Sequence, residues 1–406
     1  MKMRAAFMNG IDKMIIKEVD KPTAGAGQVV VKMEYVGICG SDVHYFHSGR
    51  CGSYVVTDDE FMLGHECAGT VVEVGEGCKE LKVGDRVALE PGITCGECEF
   101  CKSGRYNLCP DVVFLATPPV QGCYEDFIAF PENMCFKLPD NVSTKEGALV
   151  EPLSVGMHAA NQGEVTLGDT VLILGGGCIG LVTMMCCKAH GASKIIVADL
   201  VDARLEKAKE LGATDVINSG KVDVFEEVKR LTDGKGADKV FETAGSPVTI
   251  AQTPFFVKRG GTIVLVGISA KEEITYNFAQ IMDKEATIKS VFRYRNVYPQ
   301  AIAAISSGSI PVAKIATHEF DLDHIQEAFK QLGRGLSSSY CLMISPVAIP
   351  FTISAKIHKK NAARRNPGGV FFGKFCNREA CRNHSEVLGK YFLKVLIITY
   401  FWDKIY

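Results

Sequence analysis

The spacing of apolar and polar residues changes character along the chain. Between 28 and 91, short β-branched runs such as Val29-Val30-Val31 and Thr70-Val71-Val72-Glu73-Val74 are punctuated by Gly69, Gly75, Gly77 and Gly84. Runs of this kind, bounded by turn residues, predict a small irregular β domain. From 169 to about 292, strand-like runs alternate with helix-like ones, which predicts an α/β region built on a doubly wound parallel sheet. Strands are expected at 171–174, 195–198, 216–217, 239–242, 262–266 and 288–291, with amphipathic helices at 202–211 and 222–231. Further helices are expected at 297–307 and 323–332. No internal repeat or long low-complexity tract replaces this plan.

Length and composition narrow the reading. A chain of 406 residues exceeds what one core usually organises, so two domains with a cleft between them are expected. The formal net charge of −2 gives no electrostatic reason to expect a nucleic-acid partner. Lys2 and Arg4 are not followed by an apolar region, which argues against a secretory signal. The apolar stretch 171–187 is interrupted by Gly175, Gly176, Gly177 and Gly180, which suits a strand, turn and helix better than a membrane span. Sixteen cysteines in a chain without a signal point to metal binding or free thiols in a reducing compartment, so the cytoplasm is the expected location.

Some of those cysteines are clustered. Cys95, Cys98, Cys101 and Cys109 form C-x2-C-x2-C-x7-C in a glycine-rich loop. Four thiolates this close can complete a tetrahedral shell with no position left for water or substrate, the mark of a structural zinc. An iron–sulfur centre is an alternative because Pro110 follows the last cysteine, but the gap of seven departs from ferredoxin spacing. A second, dispersed group comprises Cys39, His65, Glu66 and Glu151. One sulfur, one imidazole and carboxylates can hold zinc with an exchangeable position. Spacing alone does not join them, and each taken singly reads as well as a core thiol, a satisfied histidine or a surface carboxylate.

Gly175-Gly176-Gly177-Cys178-Ile179-Gly180 fits G-x-G-x-x-G, follows the strand at 171–174 and opens a helix. Asp199 ends the next strand, nineteen residues after Gly180. In that setting Gly175 permits the turn, Gly177 lets backbone approach a pyrophosphate, and Gly180 allows close helix–strand packing. Asp199 would accept from the ribose hydroxyls and repel a 2′-phosphate, favouring NAD over NADP.

Taken together, these motifs resemble the medium-chain, zinc-dependent alcohol dehydrogenase family, and within it the sorbitol and xylitol dehydrogenase branch. The resemblance runs from about Ala5 to about Leu336 and is carried by Gly37-Ile38-Cys39-Gly40-Ser41-Asp42-Val43-His44-Tyr45, Gly64-His65-Glu66, the four-cysteine loop, Glu151-Pro152-Leu153-Ser154-Val155-Gly156, the glycine loop and Val291-Phe292-Arg293-Tyr294. Glu66 beside His65 points to the polyol branch, where a Cys–His–Glu set replaces the second cysteine of ordinary alcohol dehydrogenases. The resemblance implies a chaperonin-10-like β domain over 1–152, a Rossmann domain over 153–292, a return to the first domain over 293–345, and an atypical basic tail over 346–406.

By the same resemblance, Cys39, His65, Glu66 and Glu151 surround a catalytic zinc, with Glu151 acting directly or through a water. Ile179, Asp199, Arg204, Val266, Gly267, Ile268, Val291, Phe292 and Arg293 line NAD. Tyr45, Glu151, Arg293 and Tyr294 contact the substrate, and Ser41 and His44 relay a proton. The implied activity is NAD-linked oxidation of sorbitol, xylitol or L-iditol to a ketose by a homotetramer, or a dimer. Threonine, butanediol or a simple alcohol on the same scaffold is the alternative substrate reading. A non-catalytic zinc protein is the alternative of another class.

The resemblance fails from about Ser337, and beyond Ser345 the chain continues as a basic tail. The tail holds eleven Lys or Arg and three Asp or Glu, a local charge of +8 that leaves −10 for the rest. Residues 391–402 are apolar but too short and too charged to span a membrane, and Cys376, Cys381 and His384 read as unligated. The tail is expected to be peripheral to catalysis, with 340–345 supplying a last strand.

Overall fold

A computed structural model describes residues 1–333 and 341–346, and the expectations for 347–406 lie outside the described residues. The β-branched runs of the first part form an antiparallel set around the strand Gln28–Gly37, which pairs with Glu66–Val74 and Phe127–Pro131. Glu66–Val74 continues to Arg86–Leu89 and then Cys135–Lys137. Val29, Val30, Val31, Met33 and Val36 are fully buried, which explains why this strand reads as a nearly continuous apolar run.

The second region is a six-stranded, all-parallel sheet in the order Asp215–Asn218, Lys194–Asp199, Thr170–Leu174, Ala237–Glu242, Val257–Leu265, Thr287–Ser290. The order turns back at Thr170–Leu174, whose carboxyl end leads into the glycine loop. Parallel sheets of this kind bind ligands at such a reversal.

Element types match expectation and boundaries move by local capping. The helix expected from 222 begins at Val224 because Asp223 accepts from Phe225 N and Glu226 N. The helix expected at 323–332 splits into the 3₁₀ turn Leu322–His324, capped by Asp321, and the helix Ile325–Gly333. The helix expected at 297–307 is Tyr298–Ser306, with proline in its first turn.

One helix bridges the two regions, and one late strand returns to the first sheet. The helix Val150–Gly163 straddles the boundary expected at 152, and its Leu149 and Leu153 neighbours belong to one apolar cluster that runs from Ala68 and Ala88 to Val171 and Leu181. Each fully buried leucine contributes about 1.5–3 kcal/mol by leaving water. The strand Cys341–Ser345 pairs antiparallel with Gln28–Gly37, Met343 opposite Gly37, and parallel with Ala316–Asp321. Tyr340, expected within that strand, lies outside the described residues.

Candidate active site

Three dispersed residues meet where two loops and a strand end converge. Cys39 precedes the helix Gly40–Ser48 as its cap, His65 follows the left-handed Gly64, and Glu66 opens the strand Glu66–Val74. Their ligand atoms lie within 4.8 Å of one another. Gly37 faces Glu66 across the sheet, and a Cβ there would lie 2.1 Å from Glu66 Oε2, so the glycine makes room for this carboxylate. Glu151, in the first turn of Val150–Gly163, is buried nearby but stands outside that group of three.

The electrostatics of this group call for a cation. Burial, reinforced by Asp42 and Glu151, pushes the Cys39 thiol up to about 12. Burial, reinforced by Cys39 and Glu151, also holds the Glu66 carboxyl well above the usual range. Burial alone would depress His65, yet Asp42, Glu151 and Glu66 raise it. Glu66 Oε2 and His65 Nδ1 are buried and have no hydrogen-bond partner among the described residues. Converging anionic donors left unpaired away from water are costly, and a divalent ion removes that cost. A sulfur, an imidazole and a carboxylate suit zinc.

Asp42 organises this centre, a role that sequence reasoning missed. It is fully buried, accepts from Cys39 N and from Gly64 N at 3.0 Å each, and receives the Tyr124 hydroxyl at 3.3 Å. Its Oδ1 also lies 3.7 Å from His65 Nδ1. One carboxylate therefore ties together the loops that carry two prospective ligands, as outer carboxylates do at metal sites. The only signal in the sequence was its position three residues after Cys39, where it also completes the capping box of the helix.

The remaining expected residues fall around this group. Ser41 offsets part of the rise of the Cys39 thiol, while His44, three residues along the same helix, is exposed. Tyr45 is buried on that helix and feels the charge of Arg293. The Tyr294 hydroxyl donates to Glu151 Oε1 at 3.0 Å. Arg293 stacks over Phe114 at 4.4 Å and over Phe292 at 4.7 Å, and its Nη1 is a buried donor with no partner among the described residues. Glu90, also missed, is buried, receives the Tyr106 hydroxyl at 2.8 Å and is pushed up to about 7 by burial.

At the glycine loop, Gly175 has φ +106°, a Cβ on Gly180 would lie 1.9 Å from Gly175 O, and Gly177 faces open space. This division of labour fits turn, packing and phosphate approach. Ile179 lies in the first turn of the helix Cys178–Ala189. Asp199 accepts from Gly176 N at 2.7 Å and Val201 N at 2.8 Å, and Arg204 Nη1 stands 3.6 Å from it. Val266 N and Gly267 N both donate to Glu242 O, with Ile268 exposed beside them. Val291 N donates to Leu265 O and Phe292 is exposed.

Cys95, Cys98, Cys101 and Cys109 form a separate group, also within 4.8 Å of one another. Backbone N–H groups point inward: Cys98 N donates to Cys95 Sγ and Cys101 N to Cys98 Sγ, each at 3.4 Å. Hydrogen bonds from the Glu97 and Cys98 backbone hold the Cys95 thiol down at about 7. Four sulfurs gathered under amide donors suit a closed zinc shell.

Two family regions match the chain. Residues 25–140 match the alcohol dehydrogenase GroES-like domain, and 178–307 match the zinc-binding dehydrogenase domain. Sorbitol dehydrogenase of Bacillus subtilis is 43% identical over 344 residues, covering 85% of this chain and 97% of that protein. Human sorbitol dehydrogenase is 44% identical over 328 residues, covering 80% and 91%. Among solved structures, an Escherichia coli oxidoreductase of unknown specificity involved in membrane biogenesis aligns with TM-score 0.82 and 46% identity, covering 85% of this chain and 99% of that one.

Proposed function

The chain belongs to the medium-chain, zinc-dependent dehydrogenase family, and on that premise we propose that it oxidises a polyol such as sorbitol, xylitol or L-iditol to the ketose with NAD. The observation that carries this reading is the meeting of Cys39, His65 and Glu66 within 4.8 Å, a donor set with glutamate in place of a second cysteine. Those three would hold the catalytic zinc with Glu151 beside them, and Cys95, Cys98, Cys101 and Cys109 the structural one.

Bound zinc supplies the Lewis acidity that makes a substrate hydroxyl easier to deprotonate, and bound nicotinamide supplies the hydride acceptor. Ser41, at the Cys39 sulfur, is placed to take the proton, and exposed His44 to pass it to solvent. Glu151 is held by the Tyr294 hydroxyl, whose oxygen can still accept, and Tyr45 and Arg293 offer hydroxyl and guanidinium donors to a substrate bearing several hydroxyls. The Asp199 carboxylate disfavours a 2′-phosphate, supporting NAD over NADP, with Arg204 and the 266–268 and 291–293 segments completing the cofactor site.

The same reading divides the chain into a catalytic part over 1–152, a cofactor part over 153–292, and a return over 293–345. It takes the protein to be a cytoplasmic homotetramer, or a dimer, with no nucleic-acid or membrane partner. Among the described residues no helix is long and apolar enough to cross a membrane. Among the described residues the edge strand Thr287–Ser290 is paired on one side alone, with Phe278, Met282 and Ile288 exposed, which supports pairing with a second copy. Sedimentation that finds only monomers at micromolar concentration would count against it.

The deciding experiment is a substrate panel followed by NADH or NADPH formation. Sorbitol, xylitol and L-iditol should exceed ethanol and threonine in kcat/KM, and NAD should exceed NADP. Faster turnover of ethanol, threonine or butanediol would replace the substrate reading.

A further inference from the structure

The four-cysteine loop reaches well beyond its own sulfurs. Its inner side carries Tyr106 and Asn107, and the loop makes contacts across 185 to 192 positions of sequence to the segment 292–296. Asn107 is 5% exposed and uses both ends of its amide. Nδ2 donates to Phe292 O at 2.9 Å, and Oδ1 accepts from Arg295 Nη1 at 3.1 Å. The Tyr106 hydroxyl accepts from Asn296 N at 2.8 Å while donating to Glu90, and Asn296 Nδ2 donates to Gly104 O at 2.8 Å.

The segment needs holding. Arg293 has φ 57°, a left-handed conformation uncommon for a long side chain and kept by its surroundings, and Asn296 follows at φ 55°, where asparagine is at home. Arg293 and the adjoining Tyr294 are groups assigned to the substrate. The Arg293 guanidinium rests on Phe114, on the strand Val113–Phe114 shortly after Cys109, and the Tyr294 hydroxyl meets Glu151.

We propose that Asn107, supported by Tyr106, is a positioning residue that sets polyol specificity. It fixes the backbone of 292–296 so that Arg293 and Tyr294 meet the additional hydroxyls of the substrate. The four-cysteine lobe then serves as a template for the substrate site as well as a staple for its own loop. This inference rests on the assignment of Arg293 and Tyr294 to the substrate. A merely structural Asn107 would lower stability or zinc content and affect all substrates alike.

The test uses the full-length, zinc-loaded enzyme with xylitol and with 2-butanol, which lacks the additional hydroxyls. Asn107→Ala should raise the xylitol KM about tenfold with little change in kcat, as expected for losing two hydrogen bonds that hold the segment carrying Arg293 and Tyr294. The 2-butanol kcat/KM should stay within about twofold, so the ratio of the two kcat/KM values falls several-fold while two zinc ions per chain are retained. Tyr106→Phe keeps the ring and should shift the ratio the same way by a smaller factor; it decides the matter where Asn107→Ala loses a zinc. Equal losses on both substrates, or an unmoved ratio, overturn the proposal. Arg293→Ala separates the two assignments. If it leaves the ratio unmoved, the substrate reading fails and this inference with it; if it lowers the ratio while the Asn107 and Tyr106 variants do not, the positioning role alone is lost.

Discussion

Asp42 concentrates several constraints in one side chain. It satisfies two backbone amides that would otherwise be orphaned beside Cys39, His65 and Glu66, and it places a carboxylate oxygen 3.7 Å from the His65 ring. Asp42→Asn keeps an acceptor but removes the charge. We expect it to weaken one zinc by about 10–100-fold while leaving the four-cysteine zinc in place, read as zinc per chain after a chelator challenge. Equal loss of both metals would show that the effect is unfolding. His158 offers a pH-dependent counterpart. It is buried with Nε2 lacking a partner among the described residues, and burial, helped by Arg295, lowers it to about 4 from an ordinary 6.5. Above pH 6.5 both folded and unfolded chains hold it neutral. Between 6.5 and about 4 only the unfolded chain takes the proton, so stability falls as pH falls and levels off below that window. The loss is on the order of 3 kcal/mol, and His158→Gln should flatten that part of a denaturation profile.

At the scale of elements, the crossing of the helices Val150–Gly163 and Cys178–Ala189 couples the site to the cofactor fold. The first carries Glu151 and the second begins at the glycine loop. They approach at Gly156, where a Cβ would lie 2.7 Å from Val182 C and 2.8 Å from Thr183 N. These are backbone atoms and cannot swing aside. Gly156→Ala should therefore separate the helices and cost about 1–3 kcal/mol through overpacking. It should also weaken NADH binding, because the glycine loop moves with its helix. A variant as stable as the parent in thermal unfolding would show that the crossing is loose.

At the scale of the whole molecule, the strand Cys341–Ser345 fills a place between Gln28–Gly37 and Ala316–Asp321. Met343 and Ile344 are fully buried there, one in each of two apolar clusters. Chain cut after 336 loses that strand, exposes the edge of Gln28–Gly37 at Val36 and Gly37 on the side away from Glu66, and should fail to fold or to hold the zinc proposed at Cys39, His65 and Glu66. Chain cut after 350 keeps every described contact and should retain two zinc ions and polyol oxidation. Loss of zinc in the longer form would give the tail a structural duty.

Much of this was legible in one dimension. Val29 to Val31, the glycine loop and the four-cysteine loop are local signals, because a strand, a phosphate turn and a chelating loop are each specified by residues close in sequence. Helix starts were less legible, since Asp223 and Asp321 act through single hydrogen bonds that periodicity does not register. The group of Cys39, His65 and Glu66 lay beyond local reading. Cys39, His65 and Glu66 are ordinary residues apart, and only the pairing of Gly37 with Glu66 and the hold of Asp42 on both loops bring their donors together. The same is true of Asn107, whose partners lie 185 and 188 positions away. Sequence by itself determined the elements and the self-contained motifs, because their energetics are short-ranged. Tertiary structure alone decided which buried charges face one another, because that depends on where distant segments come to rest.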